Sequence, residues 1–206
     1  MIAKPKNYDE VEIQNFDYEK IELGGHKGII IKVEEYTSPI SGKTSLKVYV
    51  DTASDDKQPE YFAEQYKNDN RIDKRWNNSA IKYISLGEEE NQVKMLKAFI
   101  TAYENSNNCK FDWDKDWNQL DGKNIGLVFG MEEYENQSGE LKTINKLREF
   151  RSVDKIDNVK IPKVKLLDGT YVDYEEYMNK NNLNNSSNTI DNLFGDIVEI
   201  DDNILD

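Results

Sequence analysis

Two stretches of alternating apolar and polar residues, each interrupted by a turn, constrain the fold of this chain more than any other feature. Residues 28–50 alternate on both sides of the turn SPISGK at 38–43, and residues 123–150 do so around ENQSGE at 135–140. A period of two places successive side chains on opposite faces of a strand. Each stretch therefore predicts a β-hairpin with one face in the core, and the expected core residues are Ile29, Ile31, Val33, Leu46, Val48, Val50, Ile125, Leu127, Phe129 and Met131.

A third strand and a helix are predicted between the two hairpins. IKYISL at 81–86 has the character of a short strand, and residues 88–106 repeat apolar side chains at helical spacing, namely Val93, Leu96, Ile100 and Tyr103. Five strands with one helix between the third and the fourth is the OB arrangement. We therefore expect a mainly β chain that forms a five-stranded OB-type barrel, and closure of that barrel is inferred from the order of the elements.

Composition separates a body at residues 1–178 from a tail at residues 179–206. Only 37% of the residues are hydrophobic, yet twelve Tyr, seven Phe and three Trp favour a folded core. The segment NKNNLNNSSNT at 179–189 cannot bury enough apolar surface to order itself. We predict an OB-fold domain with an N-terminal extension at 1–178 and a disordered Asn-rich linker with an acidic tail at 179–206. Whether residues 160–178 complete the barrel or begin the tail is left open.

The predicted tail interleaves acidic side chains with spaced apolar ones. This pattern is typical of disordered segments that dock into the groove of a partner protein. The expected anchors are Phe194, Ile197, Ile200 and Ile204. Two alternatives remain: the tail folds back on the body as a helix, or it competes for the protein's own basic groove.

The net charge of −13 means that a nucleic-acid site must be a local basic groove. The segment EYFAEQYKNDNRIDKRW at 60–76, within a long excursion at 52–80, interleaves aromatic and basic residues. Aromatic faces stack on unpaired bases, and cations follow the phosphates. The DNA-binding candidates in this segment are Tyr61, Phe62, Tyr66, Arg71, Lys74, Arg75 and Trp76. In the alternative interpretation, the aromatic residues pack the excursion onto the barrel.

The two hairpins add further basic candidates. The first contributes Lys32, Lys43, Lys47 and Tyr49, and the last strand contributes Lys142, Lys146, Arg148 and Arg151. Strict alternation would place Lys142, Lys146 and Arg148 on one face together with Ile144 and Phe150. A solvated sheet face explains these residues equally well.

Candidate enzymatic and metal sites fail on their spacing. FDWDKDW resembles a calcium loop, but Trp117 stands at the sixth position and Lys123 at the twelfth, where Gly and Glu are required. The single histidine, His26, has no cysteine near it in sequence, and Cys109 is the single cysteine. We predict no catalytic residues, no metal and no cofactor. The lone cysteine and the absence of an apolar run of membrane-spanning length favour a cytoplasmic location without membrane association.

Three segments of the chain together resemble the single-stranded DNA-binding proteins of the replication modules of phages and prophages of Gram-positive bacteria. They are HKGIIIKVEEYTSPISGKTSLKVYVD, EYFAEQYKNDNRIDKRW and LDGKNIGLVFGMEEYENQSGELKTINKLREFRSVDKI, within residues 26–156. The resemblance lies in the order of these segments and in their general residue pattern, and no invariant motif carries it. It implies an OB fold, sequence-tolerant coating of single-stranded DNA in phage replication or recombination, and self-association in the host cytoplasm.

The resemblance also implies that the acidic tail recruits replication or recombination proteins. The tail ends IDDNILD, without the terminal Pro-Phe of many bacterial tails, so recognition by the usual host partners is not expected. An alternative function remains open: an OB-fold accessory protein of replication or recombination that binds proteins in place of DNA.

Overall fold

The computed structural model describes Lys4 and residues 20–181 and is mainly β structure. The predicted tail residues Phe194, Ile197, Ile200 and Ile204 lie outside the described residues. The two hairpins, the third strand and the helix that follows it occur in the predicted order. The elements are β1 (Gly24–Thr37), β2 (Thr44–Thr52), α1 (Tyr61–Asn68), β3 (Ile81–Ser85), α2 (Glu90–Asn107), β4 (Asn124–Glu135), β5 (Leu141–Arg151), β6 (Val164–Lys165), β7 (Tyr171–Val172) and a helical segment, α3, at 174–181.

The strands of the described residues form one seven-stranded sheet. Its main path runs β3-β2-β1-β4-β6-β7, and β5 pairs with β4 on the other side. The sheet is not closed, because no strand pairing joins β3 to β5 in the described part of the chain, although the two strands approach each other. A closed five-stranded barrel is thus not formed by backbone pairing. Since β6 pairs with β4 at Glu132 and Lys165, residues 164–172 extend the sheet.

A β-bulge in β1 changes which isoleucines enter the core. Ile30 pairs with Val50 and Lys32 with Tyr49, so Ile31 is an extra residue between two successive pairs. The prediction that Ile29 and Ile31 share the core face with Val33 is wrong for this reason. Ile30 and Val33 are buried, whereas Ile31 is 41% exposed.

The core is packed by the two hairpins and by one half of α2. The predicted core residues Leu46, Val48, Val50, Ile125, Leu127 and Phe129 are all buried, and Met131 is half-buried. In α2 the buried residues are Phe99, Ile100, Ala102 and Tyr103. Of the four apolar residues whose spacing predicted the helix, Ile100 and Tyr103 are buried, whereas Val93 is exposed because the N-terminal half of α2 is largely exposed.

None of the helices in residues 20–181 is both long and apolar enough to cross a membrane.

Candidate nucleic-acid interface

A cleft of about 1200 Å³ lies between the sheet and the excursion that follows β2. It is lined by residues of β2, α1, the loop after α1, β3 and β5. Six of the residues predicted to bind DNA line this cleft: Lys47, Tyr49, Tyr66, Arg71, Arg75 and Trp76. The remaining lining side chains are mostly amides, together with the acidic Asp69 and the apolar Ile81 and Ile144. Residues 60–76 and the first hairpin are therefore brought together at one surface.

The buried carboxylate of Asp51 holds the start of α1 against the end of β2. Its Oδ1 accepts hydrogen bonds from the backbone N–H groups of Thr52 and Phe62, both at 2.8 Å, and its Oδ2 accepts one from Ala63 at 3.0 Å. The first N–H groups of a helix have no partner within the helix, so an external acceptor stabilises them. Asp51 thereby fixes the wall of the cleft that α1 provides.

Two of the predicted aromatic residues serve the fold at this point. Phe62 is 1% exposed and stacks on Phe129 with ring centroids 5.8 Å apart, so it cannot reach a bound strand. Tyr61 packs edge-on against Phe62 at 4.9 Å and is half-buried against the core. The contacts of Phe62 agree with the interpretation that the excursion packs onto the sheet, and a role of Tyr61 in binding stays a prediction.

Trp76 and Tyr66 form the aromatic wall of the cleft. The indole N–H of Trp76 donates to the backbone oxygen of Val50 at 3.1 Å, which anchors a ring that also packs against the core. The Tyr66 ring lies 5.7 Å from the Trp76 ring and is 40% exposed. The ammonium of Lys74 lies 5.7 Å from the centre of the Tyr66 ring. Tyr66 thus presents a ring to solvent beside a cation.

Tyr49 lies on the sheet side of the cleft among paired charges. Its hydroxyl donates to Glu34 Oε1 at 2.6 Å, and the ammonium of Lys47 lies 4.8 Å from its ring centre. Lys32 also pairs with Glu34 and lies 5.9 Å from the Tyr49 ring. The hydrogen bonds from Lys32 and Tyr49 hold the pKa of Glu34 below its usual value. The carboxylate of Glu34 is therefore shared by Lys32, Lys47 and the hydroxyl of Tyr49.

Two exposed tyrosines extend this surface and were missed from the sequence. Tyr83 of β3 pairs in register with Lys47, and its ring lies 5.6 Å from that of Tyr36 in β1. Tyr83 is 48% exposed and Tyr36 is 39% exposed. Alternation around the buried Ile84 could have placed Tyr83 on the solvent face, but the pairing with Tyr36 depends on a register that the sequence does not specify.

Each arginine of the cleft is paired with an aspartate two residues before it. Arg71 makes a bidentate contact with Asp69, with Nη2 at 2.8 Å from Oδ2, and this holds the pKa of Asp69 at about 2. Arg75 donates from Nε and Nη2 to a single oxygen of Asp73, Oδ2. Both guanidinium groups are largely exposed, whereas the side chain of Asp69 is only 14% exposed and that of Asp73 is 75% exposed. Exposed ion pairs are weak, so the Arg75–Asp73 pair is the one that a competing anion would open more easily.

The other predicted basic residues lie away from the cleft lining. Lys43 lies in the β1–β2 turn, Lys142 pairs with Glu140 at 3.2 Å beside the β4–β5 turn, and Arg151 pairs with Glu149 at 2.7 Å at the end of β5. Their role in binding stays a prediction.

Lys146 and Arg148 converge on a carboxylate outside the cleft. Their cationic groups lie 3.9 and 3.7 Å from Glu132 Oε2. The expectation that Phe150 shares their face is wrong, because a register shift beside Leu147 turns Phe150 inward, where its ring lies 4.8 Å from that of Phe99.

The residues that a metal or a catalytic triad would need are dispersed or engaged elsewhere. His26 is buried, with its Nδ1 2.8 Å from Asp56 Oδ1 and its Nε2 3.2 Å from the backbone carbonyl oxygen of Glu22. No group of three or more His, Cys, Asp or Glu in the described residues is placed to hold a metal ion. Cys109 is an exposed free thiol.

Comparison of the chain with protein-family models and with curated protein sequences finds no match.

Proposed function

We propose that this protein binds single-stranded DNA in the cleft beside β2, with little sequence preference. The observation that carries the proposal is the convergence of Tyr49, Tyr66 and Trp76 with Lys47, Arg71 and Arg75 along one cleft. Unpaired bases stack on aromatic rings at roughly 1–3 kcal/mol per base, and every base offers a face for stacking. Amide side chains complete the lining and can hydrogen-bond to bases or sugars.

The same proposal includes an OB-type barrel as the finer description of the fold. Because β1 pairs with both β2 and β4, the strands β3 and β5 come to the two ends of the five-strand path and approach each other. An OB barrel is commonly partly open and binds oligonucleotides on this kind of strand surface. We extend the proposal to phage replication or recombination, to self-association and to a partner-recruiting tail at 179–206, in line with the family that the sequence resembles.

The decisive measurement is fluorescence anisotropy of a labelled oligothymidine at several salt concentrations. We expect binding that weakens as salt rises, since each phosphate contact adds about 0.7 to the slope of log K against log salt for a single strand. An Arg71→Gln/Arg75→Gln variant should bind more weakly and lose about 1.4 from that slope.

The matched control is Lys94→Gln/Lys115→Gln. These lysines also belong to exposed ion pairs, with Glu90 and Asp112, and neither lines the cleft. The control should bind as the wild type does. Equal losses in the two variants would show that overall charge, and not the cleft, governs binding, and no binding at low salt would refute the proposal. The same titration with oligouridine would measure the preference between DNA and RNA.

A second candidate function is an accessory protein that binds other proteins. The net charge of −13 and the carboxylate beside each cleft arginine favour it. It predicts no oligothymidine binding and retention of a partner by residues 179–206 used as bait. A cleft variant that loses DNA binding while the tail still retains that partner would separate the two functions.

A further inference from the structure

Three basic side chains contact a single carboxylate next to the cleft, and a fourth belongs to β3, the strand that approaches β5. Lys165 Nζ lies 2.6 Å from Glu132 Oε1, and Arg148 and Lys146 contact Oε2 of the same carboxylate. Lys82 of β3 is the fourth: burial lowers the pKa of its ammonium, and the charges of Arg148 and Lys146 lower it further. We call Lys82, Lys146, Arg148, Lys165 and Glu132 the Glu132 cluster.

The cluster holds more positive charge than its carboxylate can balance. Elsewhere on the sheet surface the described acids meet fewer cations: Asp55 pairs with Lys27, and Glu34 is shared by Lys32 and Lys47. The nearby Glu149 is already paired with Arg151. Lys82 makes no ion pair within 4.0 Å among the described residues, although it is half-buried. Half-burying like charges together opposes folding, so an anion that joined them would remove an existing repulsion.

The backbone of β4 and β5 builds this arrangement. Val128 pairs with Glu149 and Phe129 with Leu147, so Arg148 is a bulge residue, and Leu147 is buried. A Cβ at Gly130 would lie 2.8 Å from Cγ of Arg148, so glycine leaves room for that side chain.

The guanidinium of Arg148 is held in position from two directions. It lies 5.3 Å from the centre of the Tyr171 ring, while Glu132 contacts it from the sheet. The side chains of Arg148 and Glu132 are each 18% exposed. A guanidinium group that is held in position before binding loses little conformational entropy when it binds a ligand.

We propose that the Glu132 cluster binds a phosphate group. Guanidinium and ammonium donors are the protein groups that recognise phosphate, and the surplus of positive charge excludes a cationic ligand. The cluster continues the cleft, because Ile144 lines the cleft and Lys146 lies two residues beyond it on the same face of β5, about 7 Å along the strand. This identification rests on the proposed function: the phosphate belongs to the backbone of a bound DNA strand where that strand leaves the cleft.

The test compares two variants that each remove two positive charges. Lys82→Gln/Lys146→Gln removes half of the cations of the cluster. Lys94→Gln/Lys115→Gln, the control variant of the proposed function, removes two exposed lysines that pair with Glu90 and Asp112 outside it. In the first arm, oligothymidine binding is measured against salt. In the second arm, the thermal unfolding midpoint is measured in inorganic phosphate and in chloride at equal ionic strength, and the control variant accounts for general salt effects.

The expected result is a salt slope that falls by about 0.7 for every DNA phosphate that the cluster variant no longer binds, with no change in the control. If the slope is unchanged but phosphate stabilises the wild type and the control and not the cluster variant, the cluster binds a free phosphate or a phosphate ester. Identical behaviour of the two variants in both arms overturns the proposal.

The two arms also separate this proposal from the proposed function. A wild-type protein that binds no oligothymidine but is stabilised by phosphate through the cluster refutes the DNA proposal and supports the phosphate site. A wild-type protein that binds oligothymidine with no difference between the variants in either arm supports the DNA proposal and refutes the phosphate site.

Discussion

Replacing Asp51 by alanine should destabilise the protein by about 2–4 kcal/mol. The carboxylate accepts three backbone hydrogen bonds, and two of their donors belong to buried residues, Thr52 and Phe62. A buried donor left without a partner costs roughly 1–3 kcal/mol. The third donor, on the half-buried Ala63, can turn to water. Burial raises the pKa of Asp51 and the three N–H groups oppose that rise, so removing the carboxylate also relieves some desolvation.

Urea unfolding followed by tryptophan fluorescence at pH 7 measures this destabilisation as a lower midpoint at constant slope. Asp51→Asn keeps one acceptor oxygen and should lose only about 1 kcal/mol. Asp55→Ala, in the loop after β2, removes an exposed partner of Lys27 and should stay close to the wild type. An Asp51→Ala protein within about 1 kcal/mol of the wild type would refute the capping role. Equal destabilisation by Asn and by Ala would assign the effect to charge and not to acceptor geometry.

Three further changes test the sheet and its charges. Lys82→Met should raise the thermal midpoint, because it removes a half-buried charge facing Arg148; a lower midpoint would contradict this. Burial alone would raise the pKa of Glu132, but the neighbouring Lys165, Lys146 and Arg148 lower this pKa below its usual value of 4.5. The ionised Glu132 therefore stabilises the fold fully above pH 4.5, and this stabilisation is lost as the pH falls through the lowered pKa. Glu132→Gln should therefore be less stable than the wild type at pH 7, with the difference shrinking in acid. Asp121→Ala leaves the buried Val33 N–H unpaired and should lose about 1–3 kcal/mol in urea unfolding, while Asp121→Asn should lose less.

Strand alternation, helical spacing and turn chemistry were sufficient to predict the order of the strands β1 to β5 and of α2, but not β6 and β7. Leu46, Val48 and Val50 alternate without interruption, and all three are buried as expected. The prediction fails where one residue is inserted into the ladder, because a bulge reverses the alternation of every residue beyond it. The bulges at Ile31 and Arg148 are examples, and a run such as GIIIKV contains no signal that selects which isoleucine is the extra residue.

The candidate cleft could be predicted in composition but not in detail. The mixture of aromatic and basic residues at 60–76 identified the excursion, and Tyr66, Arg71 and Arg75 do line the cleft. The sequence could not separate Phe62, which enters the core, from Tyr66, which does not. That distinction depends on how α1 is rotated, and a helix of two turns carries too few apolar residues to fix its rotation from periodicity alone.

The Glu132 cluster was not predictable for a different reason. Its members come from β3, β4, β5 and β6; Lys82 has no basic run around it, and Lys165 ends the run KIPKVK at 160–165, far from the others in sequence. Only the sheet path brings these strands together at one carboxylate. Long-range convergence of this kind is invisible in a single sequence, whereas a local run such as residues 60–76 is not.

The aromatic residues most suggestive of DNA binding are also the least suitable for testing it. Trp76 is bonded to the Val50 oxygen and packs against the core, so Trp76→Ala would weaken the fold and the cleft together. Arg71 and Arg75 are exposed, and within residues 20–181 their ion pairs are with aspartates of their own loop, so their replacement should leave the packing intact. Weaker DNA binding by the arginine variant therefore bears on the interface itself, whereas weaker binding by a Trp76 variant would not distinguish binding from folding.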